Sequence, residues 1–292
     1  MTRRPATARR APRIAATIGV ALAVSCTAPV ATGAVGRFAP PPSTDRATVW
    51  AVGDGAFPSA DAVAVAGLVR GGAPTRFLYL GDVYETGTAG DFARGYAPIW
   101  GSMSAITLPT PGNHEWGNRA VGYDRYWGRV AGGTPPPYYA VSLAGWTLVS
   151  ANSETAHGPG SAQVRWLQRR LAGPGTCRIV FWHRPRFSGG LHRDAPDVAP
   201  LWNATLGRAA IVLNGHDHDM QRMRPVRGVT QFVSGAGGHY LYPVRPHPRL
   251  AWSSDRTYGA LRLDLRPGQA RYAFVSSAGR TLDAGTIRCR VR

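Results

Sequence analysis

Residues Ala209–His218 read AAIVLNGHDH. The run Ala210–Leu213 reads as a short strand, and Gly215 permits a sharp turn where it ends. In an extended segment, residues i and i+2 project the same way. His216 and His218 are therefore expected to face one pocket, with Asp217 turned from it. The stretch describes a strand that delivers metal-binding side chains at its carboxyl end. In open α/β sheets that edge is where ligands bind.

The arrangement recurs four more times. VWAV runs into Gly53-Asp54, and FLYL into Gly81-Asp82. ITLPTP runs into Gly112-Asn113-His114-Glu115, and RIVFW ends at His183. Taken singly, each residue has an ordinary explanation. Asp54 or Asp82 caps a turn, Asn113 sits in one, and His183 is an interior histidine. Together, two Asp, one Asn and three His at strand ends make a ligand set. Mixed oxygen and nitrogen donors suit Fe, Mn or Zn better than Ca. A carboxylate can bridge two cations. Such a pair clamps a phosphate and lowers the pKa of water.

Around these ends, β-like and helix-like runs alternate. Strands are expected at Thr48–Val52, Phe77–Leu80, Ile106–Thr110, Tyr138–Leu143, Trp146–Ser150, Arg178–Trp182, Ala210–Leu213 and Thr230–Val233. Helices are expected at Ser59–Arg70, Asp91–Trp100, Ser161–Leu171 and Val198–Leu206. Gly259–Leu265 and Gln269–Val275 read as a hairpin, followed by a strand at Thr281–Cys289. The pattern argues for an α/β or mixed α+β domain over residues 47–292, with antiparallel strands at its end.

The first 34 residues differ. Five arginines precede the apolar run Ile14–Val24, and the small residues of APVATGA (Ala28–Ala34) follow. That is the layout of an export signal, with cleavage near Ala31 or Ala34 and no membrane span in the mature form. FAPPPST (Phe38–Thr44) lies within a Pro-rich linker, residues 35–46. Cys26 leaves with the signal or is lipidated. Cys177 and Cys289 then read as a disulfide in an oxidising compartment, or else as two buried free thiols. The formal charge is +18, carried by 34 basic residues that are all Arg. Loss of the signal's five arginines leaves +13.

The run GD…GD…GNHE…VFWH…GHDH resembles the calcineurin-like metallophosphoesterases, and among them the purple acid phosphatases. The resemblance spans Val49–His218. It implies a four-layer sandwich, two mixed β-sheets flanked by helices. It also implies two metal ions, Fe paired with Fe, Mn or Zn. By this resemblance Asp54 and His218 bind the first metal, Asp82 bridges, and Asn113, His183 and His216 bind the second. His114 would stand over the phosphate as acid or charge stabiliser. His192, nine residues after His183, would face the substrate.

Two departures stand out. Asp54-Gly55-Ala56 lacks the His of the family's usual Asp-x-His. Purple acid phosphatases also lack it and supply a Tyr three residues after the bridging Asp. Here Tyr84 follows Asp82 by two. Tyr84 either reaches the first metal through a rearranged loop or only packs, leaving that metal with water.

The resemblance implies an exported phosphohydrolase that cleaves phosphomonoesters with a metal-bound hydroxide. A phosphodiesterase on the same site is the alternative. The rival of another class is a non-catalytic basic binder of nucleic acid or other anions, although no recognition motif for specific nucleic acid is evident. The sequence does not indicate an oligomeric state. Glu115 is expected to orient a neighbouring ligand. Trp116, Tyr123, Tyr126 and Trp127 either wall the cleft or pack in the core. His157 and His247 read as surface residues, and His239 sits at a Gly-rich strand end.

Overall fold

The computed structural model describes residues 1–2, 44–131, 133 and 135–291. The expected export signal, apart from its first two residues, and the linker up to Ser43 lie outside them. The chain parts into Met1–Val30 and Ala31–Arg292, and the second unit holds all the described secondary structure.

Strands β1 (Ala47–Val52), β2 (Arg76–Tyr79), β3 (Thr107–Pro109), β11 (Gly259–Arg266), β12 (Gln269–Ser276) and β13 (Thr281–Arg288) form one sheet, ordered β13-β12-β11-β1-β2-β3. Strands β4 (Tyr139–Leu143), β5 (Trp146–Ser150), β6 (Arg178–Phe181), β7 (Ile211–Asn214), β8 (Met220–Met223), β9 (Thr230–Ser234) and β10 (Leu250–Ser254) form the other, ordered β10-β8-β9-β7-β6-β5-β4. Both are mixed. β1, β2 and β3 run parallel, as do β5, β6, β7 and β9, while antiparallel strands complete each sheet.

The parallel strands are buried on both faces, which is why they read as apolar runs. Val49 and Ala51 of β1 and Leu78 of β2 pack in one core with Ile179, Phe181, Ile211 and Leu213 of the second sheet. Trp50, Val52, Phe77 and Tyr79 point the other way, against Val65 and Val69 of helix Ala60–Gly71 and Tyr123 and Trp127 of helix Tyr123–Ala131. Outside the second sheet, Val149, Val180 and Val212 meet helices Ala162–Arg170 and Ala199–Thr205. The layers are helix, sheet, sheet, helix. Each large side chain buried here, such as Phe77 or Phe181, contributes about 1.5–3 kcal/mol.

Two strands were not expected. β8 (MQRM) starts two residues after His218 with no turn signal and no β-branched residue. β10 (LAWSS) is a partly exposed edge strand without clean alternation. The helix expected at Asp91–Trp100 is present within one continuous helical run, Ala89–Trp100, that widens at its middle. Pro98 has no N–H to give to the preceding turn, and just before it Ala97 N–H reaches back to Phe92 O in a wider turn. Tyr123 and Trp127 pack in the outer core, while Tyr126 is partly buried against it and lines a surface cavity with Phe92 and Arg125. Cys177, just before β6, is disulfide-bonded to Cys289, just after β13, so the bond ties one sheet to the other.

Candidate metal centre

The carboxyl ends of β1, β2, β3, β6 and β7 meet at one edge of the sandwich, where all the expected strand-end residues gather. The backbone there is bent hard. Seven described non-glycine residues have positive φ, and three of them are Asp54 (60°), Asp82 (66°) and His216 (73°). Such strain persists only where the surroundings impose it, and it concentrates at functional sites. Space is as tight as the backbone. A Cβ on Gly112 would strike the Asp82 carboxylate, and one on Gly215 would lie 2.6 Å from Asp54 Oδ2. The glycines before Asn113 and His216 therefore clear room for the cluster as well as turning the chain.

Two groups of donor atoms form. In one, Tyr84 Oη lies 3.0 Å from Asp54 Oδ1, 3.3 Å from Asp82 Oδ2 and 2.8 Å from His218 Nε2. In the other, His183 Nε2 lies 3.2 Å from Asn113 Oδ1, 3.1 Å from His216 Nδ1 and 3.2 Å from Asp82 Oδ2. The same oxygen, Asp82 Oδ2, belongs to both. Asp82, His183 and His216 each offer a ligand atom, all within 4.8 Å of one another.

Backbone carbonyls set the imidazole tautomers. His183 Nδ1 is 2.8 Å from Leu80 O, and His218 Nδ1 is 2.8 Å from Tyr240 O. A carbonyl only accepts, so each Nδ1 carries a proton and each Nε2 is turned towards the cluster. Glu115 ties the loops together. Its buried carboxylate accepts from Gly112 N–H (2.9 Å), Val83 N–H (3.0 Å) and Asp82 N–H (3.2 Å). Burial, and then the Asp82 charge, push the Glu115 carboxyl up to about 7.

The charges are unbalanced in a way that cations correct. Burial, reinforced by Asp82, raises the Asp54 carboxyl well above the usual range. Burial likewise opposes the Asp82 charge, but His183 and His114 outweigh it and hold that carboxyl low. Burial would depress His183, yet Asp82 and Asp54 raise it to about 10. His216 is driven down by burial and by His183, and His218 falls to about 3 mainly through burial. Two buried carboxylates and three imidazoles of fixed orientation are donors of the kind that bind first-row metal ions. The residues present fit such ions.

His114 and His192 flank the cluster. The His114 backbone N–H donates to Asp82 Oδ1 (3.1 Å), and its ring lies 4.6 Å from that of Tyr84. The His192 ring stacks on His216 at 4.2 Å. Asp217, facing away from the cluster, holds the His192 loop. Its Oδ1 accepts His192 N–H (2.8 Å), and its Oδ2 accepts the Ser188 hydroxyl. His239 is brought in from its Gly-rich turn. Its ring stacks on Tyr84 at 4.0 Å, its Nδ1 is 3.3 Å from His218 Nδ1, and its N–H donates to Asp54 O. The only sequence signal for His239 was its place at a strand end. His157 and His247 stay outside the cluster, beside Asp197 and Asp194.

Residues 48–220, more than half the chain, match the model of the family described as calcineurin-like phosphoesterase. Tartrate-resistant acid phosphatase type 5 of Mus musculus is 28% identical over 149 residues, covering 46% of this chain and 45% of the mouse protein. A purple acid phosphatase from yellow lupin (Lupinus luteus) seeds superposes with a TM-score of 0.70 at 15% identity, over 85% of this chain and 55% of its own. GAP50, the anchor in the inner membrane complex of Plasmodium, superposes with a TM-score of 0.67 at 14% identity, over 85% of this chain and 89% of its own. The chain thus spans about half the length of the mouse and lupin phosphatases. At these identities the structural likenesses establish the fold.

Proposed function

The chain belongs to the calcineurin-like phosphoesterase family, and from that premise we propose that it is a dinuclear metal-dependent phosphohydrolase of purple acid phosphatase type, cleaving phosphate monoesters. The observation that carries this reading is the sharing of Asp82 Oδ2 by two donor groups. Asp54, Tyr84 and His218 would hold one metal and Asn113, His183 and His216 the other, with Asp82 placed to serve both. When bound, the two cations neutralise charge on the phosphoryl oxygens and lower the pKa of water.

The chain's own residues do the rest. Glu115 fixes the loops of Asp82 and Asn113 relative to each other. His114 stands beside the first donor group and His192 beside the second. His114, assisted by His192, is placed to give a proton to the leaving alkoxide. Tyr84 would take the place of the histidine missing at Ala56, and its hydroxyl lies where it could serve an iron ion as a coloured ligand. Iron, paired with iron, manganese or zinc, is the metal this tyrosine favours. Action outside the cytoplasm is supported by the Cys177–Cys289 bond and by the signal-like N-terminus. No helix among the described residues is long and apolar enough to cross a membrane.

The likeness to a Plasmodium anchor over 89% of its length favours a second reading, a binding protein on the same fold. Elemental analysis of the native protein, paired with p-nitrophenyl phosphate and bis(p-nitrophenyl) phosphate, separates the readings. Two metal equivalents with monoester turnover are expected. Metals with turnover of the diester alone would move the substrate class. A metal-free, inert protein would overturn the proposal and leave the anchor reading.

A further inference from the structure

A cavity of about 500 Å³ opens beside the loop that carries His192, lined by Ser188–Gly190, Arg186, Arg193, Asp194, Arg245 and His247. That volume is in the range of small-molecule sites. Cationic side chains dominate it. Asp194 is the one acid in the lining, and it is already engaged. Its Oδ1 accepts Ser188 N–H (2.9 Å) and lies 3.2 Å from His247 Nε2, and its Oδ2 lies 3.8 Å from Arg186. Asp194 therefore orients Arg186 and His247. Among the described residues no ion pair neutralises Arg193 or Arg245, and both are exposed.

The cavity neighbours the metal centre along the chain. Arg193 directly follows His192, whose ring stacks on His216, and consecutive Cα atoms are about 3.8 Å apart. Arg193 holds a left-handed backbone at φ 64°, the fourth positive-φ residue of this neighbourhood after Asp54, Asp82 and His216. A strained position kept beside the reacting centre is a reason to look for function there. The loop is rigid: Gly189 N–H donates to Gln221 Oε1, and Arg245 N–H donates to Gly189 O. Guanidinium groups with unused donors, fixed on such a loop, recognise phosphate oxygens.

We propose that this cavity is an anion subsite that receives a second phosphate group of the substrate, so that the enzyme favours phosphate esters carrying two phosphates. The inference rests on the phosphohydrolase reading above. General attraction by a basic protein is the competing explanation, and the molecule contains its own control. A second cavity of about 430 Å³ is lined by Arg46, Arg266 and Arg271 around Asp264, at the opposite ends of the strands. β1 has six residues, which places that cavity roughly 20 Å from the metal centre.

The test compares fructose 6-phosphate with fructose 1,6-bisphosphate in the full-length protein, R193Q/R245Q and R266Q/R271Q. The unmodified protein should favour the bisphosphate about tenfold in kcat/KM, through KM, as one charge-assisted contact provides. R193Q/R245Q should lose that preference while its turnover of the monophosphate is unchanged, and R266Q/R271Q should keep it. No preference in the unmodified protein, or an equal loss in both double variants, overturns the proposal. If neither sugar is hydrolysed, p-nitrophenyl phosphate still decides the phosphohydrolase reading, and calorimetric titration with fructose 1,6-bisphosphate tests the cavity separately. Binding weakened in R193Q/R245Q alone supports it, and equal or absent binding in all three proteins overturns it.

Discussion

The hydroxyl of Tyr84 lies 2.8 Å from Nε2 of His218, across 134 residues of sequence. The spacing after Asp82 is one residue shorter than in the purple acid phosphatases, yet the ring reaches the first donor group. Buried against Asp54 and Asp82, the phenol is held well above its usual pKa by burial first and by those carboxylates second. A metal cation among the same atoms reverses that bias and favours the phenolate.

Tyr84→Phe should therefore remove colour without removing the fold. The iron-loaded protein is expected to show a visible absorption band that the variant lacks. Loss of the hydroxyl's contacts should cost only about 1 kcal/mol of stability, since the ring still stacks on His239. An unchanged band in Tyr84→Phe would remove the tyrosine from the metal.

Asp82→Ala and His216→Ala should abolish turnover while leaving a folded protein. The loss should exceed the roughly 10–100-fold typical of a group that only supports a ligand. Metal content by elemental analysis should fall together with activity. Normal hydrolysis of p-nitrophenyl phosphate by either variant would contradict the assignment.

Asp217→Ala should act through the His192 loop. It strips the acceptor from His192 N–H and the Ser188 hydroxyl, at about 1–3 kcal/mol. The metals should stay, kcat should fall about tenfold for want of an aligned acid, and Asp217→Asn should recover part of it. Loss of metal in Asp217→Ala would show instead that the residue supports His216 and His218.

Reducing the Cys177–Cys289 bond frees a loop of sequence separation 112. Chain-entropy arguments put its contribution at about 4–5 kcal/mol, or roughly 10 °C in Tm for a domain of this size. Calorimetry with and without reductant measures the shift, and mass spectrometry under the two conditions checks the bond.

Alkaline pH should unfold the protein through its interior tyrosines. Burial raises the phenols of Tyr79, Tyr96, Tyr123 and Tyr139 well above 10.0. A raised folded-state pKa stabilises fully below the unfolded value of about 10, and that stability drains away as pH climbs towards the folded value. Phenolate absorbance should therefore rise in two stages, the later one coinciding with loss of circular dichroism.

Much of the architecture was legible because its signals are local. Trp146–Ser150 forms a strand with the expected bounds, and the hairpin of β11 and β12 lies within one residue of its expected limits. These segments carry their own apolar pattern. β8 and β10 do not, for each is a strand through its pairing with the other and, for β8, with β9. The helix that ends at Trp100 keeps its pattern through Pro98 by way of one wider turn just before it.

At the site, the sequence by itself determined which side chains end the five strands and that a glycine precedes four of them. Those are properties of strand periodicity and residue chemistry. Only the tertiary structure decided that Tyr84 turns inward, that His239 stacks behind it, that Asp217 anchors the His192 loop, and that Asp82 Oδ2 is common to both donor groups. Each of those depends on side chains that meet across a long stretch of chain, and their meeting is set by how two sheets stack, a distance that no local pattern encodes.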